Sequence, residues 1–368
     1  VQHPPIAVSI LTGFLGAGKT TLLNRLLKDP ALENTAVIIN EYGEVSIDHM
    51  LVEQAASDGV IQLADGCLCC TVRGELVDTL ADLVDRMHTG RIAPLKRIVV
   101  ETTGLADPVP VLQAVMGHPA LVQALRLDGV VCVVDAVNGL STLDAHEEAV
   151  RQVAVADRIV LAKADLAEEQ QLAALSRRLA SLNPGATVLD AADAPATALV
   201  DCGVYNPDTK TADVRRWLGA AAHEHHHHHH HDDDHAHDHH HHGHDDRIRT
   251  VSLTHERPVS WSTIESFLDL LRSTQGEKLL RMKGVIELAE DPERPLVIHG
   301  VQKLLHPPAR LPGWPDGARG TRIVIIAQDL SEDYLRRLFS AFMGEPVLDT
   351  PDRAAVEHNP LAIAGFKG

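Results

Sequence analysis

Along the first 220 residues, short runs of β-branched and aliphatic residues alternate with segments whose apolar positions recur every three or four residues. The runs predict strands at 6–11, 36–40, 60–63, 97–101, 130–134, 158–162 and 187–189. Their near-continuous Val, Ile and Leu content suits a parallel sheet covered on both faces. Between them, residues 74–88 place Leu76, Leu80, Leu83, Val84 and Met87 on one helical face, and a helix over 168–182 stops at Asn183-Pro184-Gly185. A last helix, capped by Thr211, is expected to run to Ala222. This alternation predicts an α/β fold with a mostly parallel sheet.

The pattern then breaks. From 223 to 246 the only apolar residue is Ala236, so this segment cannot bury surface and is expected to be a disordered, solvated linker. Beyond it the pattern predicts a strand at 249–254, a helix at 262–271, strands at 279–288, 296–304 and 322–327, and a helix at 332–342. That order implies a smaller α+β C-terminal domain with a sandwich architecture. The expected division is therefore 1–222, 223–246 and 247–368, in keeping with a length of 368 residues.

Composition excludes several function classes. The longest apolar runs fall far short of the ~18 residues that span a bilayer, and the N-terminus shows no basic segment or cleavage site, so a cytoplasmic protein without a membrane partner is expected. A formal net charge of −18 repels a phosphate backbone and argues against nucleic acid. Seven of the acids lie within 223–246, where there is no Lys or Arg, so much of the acidity belongs to the linker. Fifteen of the 24 histidines lie there too. Imidazoles and carboxylates without fixed geometry suit indiscriminate capture of transition metal ions. The plain alternatives are a solvated linker or a purification tag, and the internal position and acid interruptions argue against a tag.

Gly13-Phe14-Leu15-Gly16-Ala17-Gly18-Lys19-Thr20 fits G-x-x-x-x-G-K-[ST] and follows an apolar strand, the context in which the motif has meaning. Gly13, Gly16, Ala17, Gly18, Lys19, Thr20 and the adjoining Thr21 are the expected phosphate cradle. Lys19 would reach the outer phosphates and the Thr20 hydroxyl would bind Mg²⁺. Two strands end in an acid fit for the metal, at Glu101 and Asp135. Glu101 is preferred because Gly104, three residues on, would let a backbone N–H approach a γ-phosphate. Asp135 reads alternatively as a cap on the following loop. Lys163-Ala164-Asp165 follows another strand, and the Asp165 carboxylate could accept from both N1–H and N2–H₂ of guanine, a donor pair that adenine lacks.

Cys67, Cys69 and Cys70 fall within four residues after Gly66, and a disulfide framework is not indicated. Clustered thiols read as metal ligands or as buried apolar cysteines, and the metal reading is preferred on ligand chemistry. Cys132, inside an apolar strand, is the buried kind.

With Asn40-Glu41-Tyr42-Gly43-Glu44, Glu101-Thr102-Thr103-Gly104 and the His-rich linker, these motifs resemble the CobW-type P-loop GTPases, relatives of the hydrogenase and urease accessory GTPases. The resemblance implies a GTP-hydrolysing metallochaperone, and with no evident cis arginine finger beyond the weak candidate Arg73, slow intrinsic turnover is expected. Lys19 and Glu101 would be its catalytic residues, Thr20 and Glu101 would serve Mg²⁺, and Cys67, Cys69 and Cys70 would hold Zn²⁺ or Co²⁺ for a client metalloprotein. It also implies auxiliary metal positions at Glu44 and His118 and a homodimer linked by nucleotide. Ala162 departs from the Asn, Thr or Ser common before Lys163, which weakens guanine preference without removing the contact from Asp165. The alternatives are a cobalt chaperone for cobalamin synthesis or metalloenzyme activation, and a metal-storage protein built on the His tract.

Overall fold

All seven residues of β1 (Ile6–Thr12) are buried, as an unbroken aliphatic run covered on both faces requires. The computed structural model describes residues 4–40, 72–200, 202, 247–314 and 319–344. Within them β1 joins β2 (Thr35–Asn40), β3 (Arg97–Thr102), β4 (Leu125–Asp135), β5 (Arg158–Ala162) and β6 (Thr187–Asp190) in a sheet of order β2-β3-β1-β4-β5-β6. Every pairing is parallel, so all strand carboxyl ends share one edge. Ligands of such sheets gather at that edge.

The connecting helices are α1 (Lys19–Leu27), α2 (Val72–His88), α3 (Val109–Gly117), α4 (Gly139–Ala145), α5 (Glu147–Val155), α6 (Glu169–Leu182) and α7 (Ala196–Val200). Periodicity reveals α2 and α6, whose buried residues form a single stripe. It misses α3 and α5. In α3, Val109, Val111, Leu112, Ala114 and Val115 are all buried, and in α5 burial is continuous from Gln152 to Val155. Helix α3 is covered on more than one side and has no polar face to set its period, whereas α5 keeps one at Glu147, Glu148 and Arg151 but spans only nine residues, too few for the pattern to stand out. The expected strand at 60–63, the helix ending at Ala222 and the His tract lie outside the described residues.

The C-terminal unit runs β7 (Ile248–His255), α8 (Trp261–Gln275), β8 (Leu279–Leu288), β9 (Asp291–Val301), β10 (Leu304–Leu305), β11 (Ala309–Arg310), β12 (Thr321–Gln328) and α9 (Glu332–Phe342). Its sheet, of order β10-β9-β8-β12-β7 with β11 on β9, is antiparallel throughout. Ser260 and Ser331 cap the two helices by accepting from the Thr263 and Tyr334 N–H groups. The strand expected at 296–304 is instead two. It ends at Val301, and Gln302, at φ +50°, turns the chain back into β10.

Helices α8 and α9 cover one face of this sheet, with Phe267 edge-on to both Phe339 and Phe342. From the same sheet, Ile248, Leu280, Val301 and Ile326 join the core of the nucleotide-binding unit. All ten residues of β8 are buried as a result. The two units are therefore packed against each other rather than tethered.

Candidate nucleotide-binding site

Residues 13–18 turn the chain from β1 into α1 at the carboxyl edge of the parallel sheet. A Cβ at Gly13, where φ is +145°, would sit 2.4 Å from the Val133 carbonyl oxygen, so only glycine lets the loop lie on β4. Gly18 begins α1 in the left-handed region without a side-chain cap, and the first helical turn holds no acid. The positive end of α1 is thus not offset locally. Lys19 folds over the loop, its ammonium donating to the Gly13 and Phe14 carbonyls at 2.9 and 3.3 Å. Ala17 is buried beneath the loop, Thr20 is half-buried, and Gly16 and Thr21 face solvent.

The neighbouring strand supplies the acid. Glu101 pairs in register with Leu11 and is only 7% exposed. The Thr102 hydroxyl next to it donates to that of Thr12 at 2.9 Å. Gly104 then brings the loop after β3 onto the phosphate loop: a Cβ there would lie 2.7 Å from the Leu15 nitrogen and 2.9 Å from its Cα.

On the other side of β1, both oxygens of Asp135 are engaged. One accepts from the Val137 and Asn138 N–H groups at 2.8 and 3.0 Å, the other from the Asn138 amide at 3.2 Å and the Lys163 ammonium at 2.6 Å. Burial pushes the Asp135 carboxyl up, but Lys163 and these donors outweigh it and hold its pKa below the usual value. Asp135 thus caps its loop, the alternative its position allowed. Lys163 also donates to the Gly16 carbonyl at 3.0 Å, which ties the loop after β5 to the phosphate loop. Asp165 follows, exposed, in the short turn Ala164–Leu166. A cavity of about 370 Å³ lies between Phe14–Ala17, the end of β4 and helices α4 and α5.

Residues 7–190 match the CobW/HypB/UreG nucleotide-binding domain, and residues 248–343 match the cobalamin synthesis protein cobW C-terminal domain. The chain belongs to the CobW/HypB/UreG family. Among its relatives, the zinc chaperone YjiA of Escherichia coli (strain K12) is 34% identical over 91% of this chain and 98% of its own length. The zinc chaperone CobW of Pseudomonas aeruginosa is 32% identical over 89% of this chain and 88% of its own length. The crystal structure of Zn(II)-bound YjiA GTPase from E. coli superposes with a TM-score of 0.66 at 29% identity, covering 92% of this chain and 99% of that one.

In this CobW-family chain the structure brings Gly13–Thr21, Glu101, Gly104 and Lys163 to one edge of the sheet, with Asp165 one turn further on. Glu44, Cys67, Cys69 and Cys70 lie outside the described residues; the segment that holds them leaves the sheet at Asn40, at the same carboxyl edge. His118 follows α3, its Nδ1 buried without a hydrogen-bond partner. Among the described residues no group of three or more His, Cys, Asp or Glu could hold a metal ion, and no helix is long and apolar enough to cross a membrane.

Two participants escape the sequence. The Lys163–Asp135 tie joins residues 28 positions apart, with no local signal. Gln152 is fully buried, and its amide donates to the Gly104 and Ala106 carbonyls at 3.1 Å each. Its one signal is an uncharged polar residue that directly precedes the apolar run Val153-Ala154-Val155.

Proposed function

We propose that this P-loop GTPase is a metallochaperone that binds Zn²⁺ at Cys67, Cys69 and Cys70 and releases it to a client metalloprotein under control of the nucleotide. The observation that carries this reading is the contact of Gly104 with Leu15. A loop lying on the phosphate cradle can sense whether a γ-phosphate is there. The thiol-bearing segment starts from the same edge at Asn40, next to β3. The names of the zinc chaperone relatives support zinc as cargo.

The chain's own groups divide the work. Backbone N–H groups of residues 13–18 and the start of α1 hold phosphate oxygens, and Lys19 leaves the loop carbonyls to offset charge on the outer phosphates. The Thr20 hydroxyl and the Glu101 carboxylate, both hard oxygen donors, fit Mg²⁺ and would hold it. Bound there, Mg²⁺ supplies charge neutralisation on the β- and γ-oxygens. Water attacks the γ-phosphorus, the bond to the bridging oxygen breaks, and GDP and phosphate leave. The Gly104 loop is then free to shift, and the thiol site with it. Asp165 selects guanine, and Glu44 and His118 are auxiliary metal positions in this scheme.

A competition titration of Zn²⁺ against Co²⁺, with a non-hydrolysable GTP analogue, with GDP and without nucleotide, tests it. The expected result is tighter zinc binding in the triphosphate state, by linkage matched by tighter analogue binding in the presence of zinc, and loss of both in a Cys67/Cys69/Cys70 triple substitution. Equal zinc affinity in all three nucleotide states would sink nucleotide control, and preference for cobalt would reassign the cargo.

A further inference from the structure

Helix α5 touches the phosphate loop, the Gly104 loop and the C-terminal sheet. At its start, the ring of His146 stacks on Phe14 with centroids 4.4 Å apart. One turn from its end, Gln152 spends both amide hydrogens on the Gly104 and Ala106 carbonyls. Arg151 reaches Asp107 of the same loop at 3.4 Å and turns back to Glu147 at 3.2 Å. Glu147 in turn accepts from Gln328 and, at 3.4 Å, from Arg247, two residues of the C-terminal unit. Arg247 is fixed there by a two-point pair with Asp329.

Gln152 is fully buried and lines the cavity beside the phosphate loop, and both of its amide hydrogens are held by carbonyls of the Gly104 loop. Through those two bonds it acts on the position of Gly104. The carbonyl oxygen of its amide has no hydrogen-bond partner, although that atom is buried. The two neighbours that fix the amide are both carbonyls, so its nitrogen must face them and the oxygen is left unmatched. An unmet buried acceptor is a costly state that a small shift can relieve. If the loop moves so that one of its N–H groups meets this oxygen, Gln152 stays bonded in both positions.

We propose that Gln152 is a positioning residue for the Gly104 loop, and that α5 carries the loop's position to the C-terminal sheet through Glu147. The proposal rests on the reading that Gly104 senses the γ-phosphate. Glu147 and Gln152 are five residues apart on one short helix, about 7.5 Å along its axis. A rigid rod of that length, gripped at both ends by hydrogen bonds, converts a displacement at Gly104 into one at Gln328 and Arg247. The C-terminal unit then acts as the element that reports nucleotide state to a partner protein.

The test uses the full chain as wild type, Gln152→Met, Gln152→Leu and a double variant Arg247→Ala/Gln328→Ala. Affinities for the GTP analogue and for GDP are measured by calorimetry, kcat and KM by phosphate release, and folding by thermal melting. Hydrogen exchange at β12 is followed with each nucleotide. In folded Gln152→Met or Gln152→Leu, analogue affinity and kcat are expected to fall about tenfold with GDP affinity unchanged. Exchange at β12 should differ between the analogue and GDP in wild type and not in the Gln152 variants. The surface double variant, remote from the nucleotide, should move analogue affinity in the same direction and leave GDP affinity alone. Equal loss for both nucleotides, or no change in a folded variant, would make Gln152 a packing residue only. A selective loss with identical exchange at β12 in wild type would overturn the link to the C-terminal unit. A Lys19→Ala control that binds and hydrolyses like wild type would instead overturn the nucleotide reading beneath the proposal.

Discussion

Asp157, in the loop before β5, and Arg281, near the start of β8, form an ion pair at 2.6 Å with each side chain 1% exposed. Lys283 joins the same carboxylate at 2.7 Å, and the Val130 N–H donates to it at 3.0 Å. Arg281 and Lys283 sit two apart, on one face of a strand buried along its whole length, and that face meets the nucleotide-binding unit. Removing Asp157 takes this carboxylate away from two buried cations. Asp157→Ala is expected to cost about 3–5 kcal/mol of stability, read by urea unfolding. Replacing Asp157, Arg281 and Lys283 together by apolar residues should recover most of it, because the buried charges are then removed as a set.

The same carboxylate sets an acid limit. Burial pushes the Asp157 pKa up, but Arg281 and Lys283 outweigh burial, aided by hydrogen bonds from Lys283 and Val130, and hold it below the ordinary value. A group depressed in the folded state contributes stability that is fully present above its unfolded pKa of about 3.9 and is lost as pH falls through the folded value. Urea midpoints measured downward from pH 6 should fall once pH passes below about 4. In Asp157→Asn that fall should be shallower. A variant with the wild-type slope would assign acid sensitivity to other carboxylates.

Gly104→Ala places a methyl group 2.6–2.9 Å from the side chain and backbone of Leu15. The backbone atoms cannot yield, so the loop after β3 must lift off the phosphate cradle. A displacement of about 1 Å at a catalytic loop costs on the order of 10²-fold in rate. Single-turnover GTP hydrolysis should drop by about that factor while GDP still binds, since the cradle itself is untouched.

Guanine selection by Asp165 has a chemical signature. Asp165→Asn replaces one acceptor by a donor, which matches the C2 oxygen of xanthine and opposes the amino group of guanine. GTP affinity should fall by about 10²-fold or more, and xanthosine triphosphate should bind in its place. If the variant kept its preference for GTP, base selection would lie elsewhere in the loops around Lys163.

Thiol chemistry separates the five cysteines. Burial pushes the Cys132 thiol up to about 12, only slightly opposed by Lys19, and burial, with Asp128 nearby, pushes Cys202 well above its ordinary value. Both should resist a thiol reagent at pH 8 in the native protein. Native protein should therefore yield at most three reactive thiols, from Cys67, Cys69 and Cys70, and five in urea. Saturating Zn²⁺ should protect the three. Zinc that left all three fully reactive would remove them from the cargo site.

The sequence by itself determined the local chemistry. Aliphatic runs without alternation placed the strands of the parallel sheet within one or two residues for β1, β2, β3 and β5, because burial on both faces leaves its mark in each strand alone. The phosphate loop was legible because backbone curvature, helix start and charge are all encoded within eight adjacent residues. Asp165 after its strand and the three clustered thiols are equally local patterns, and the roles proposed for them rest on the sequence and on the tests above. Tertiary structure decided everything that depends on two distant segments meeting. Asp135 and Glu101 both stand at the ends of strands that flank β1; Gly104 favoured Glu101 in the sequence, and only the fold brought Lys163 against Asp135 and fixed that carboxylate as a loop cap. Arg281 and Lys283 read as ordinary strand residues until the sheet of the C-terminal unit closed over Asp157. Helix α5 escaped because its nine residues are fewer than the window in which a helical period stands out, and its Gln152 acquires meaning only from the Gly104 and Ala106 carbonyls, more than 40 positions away.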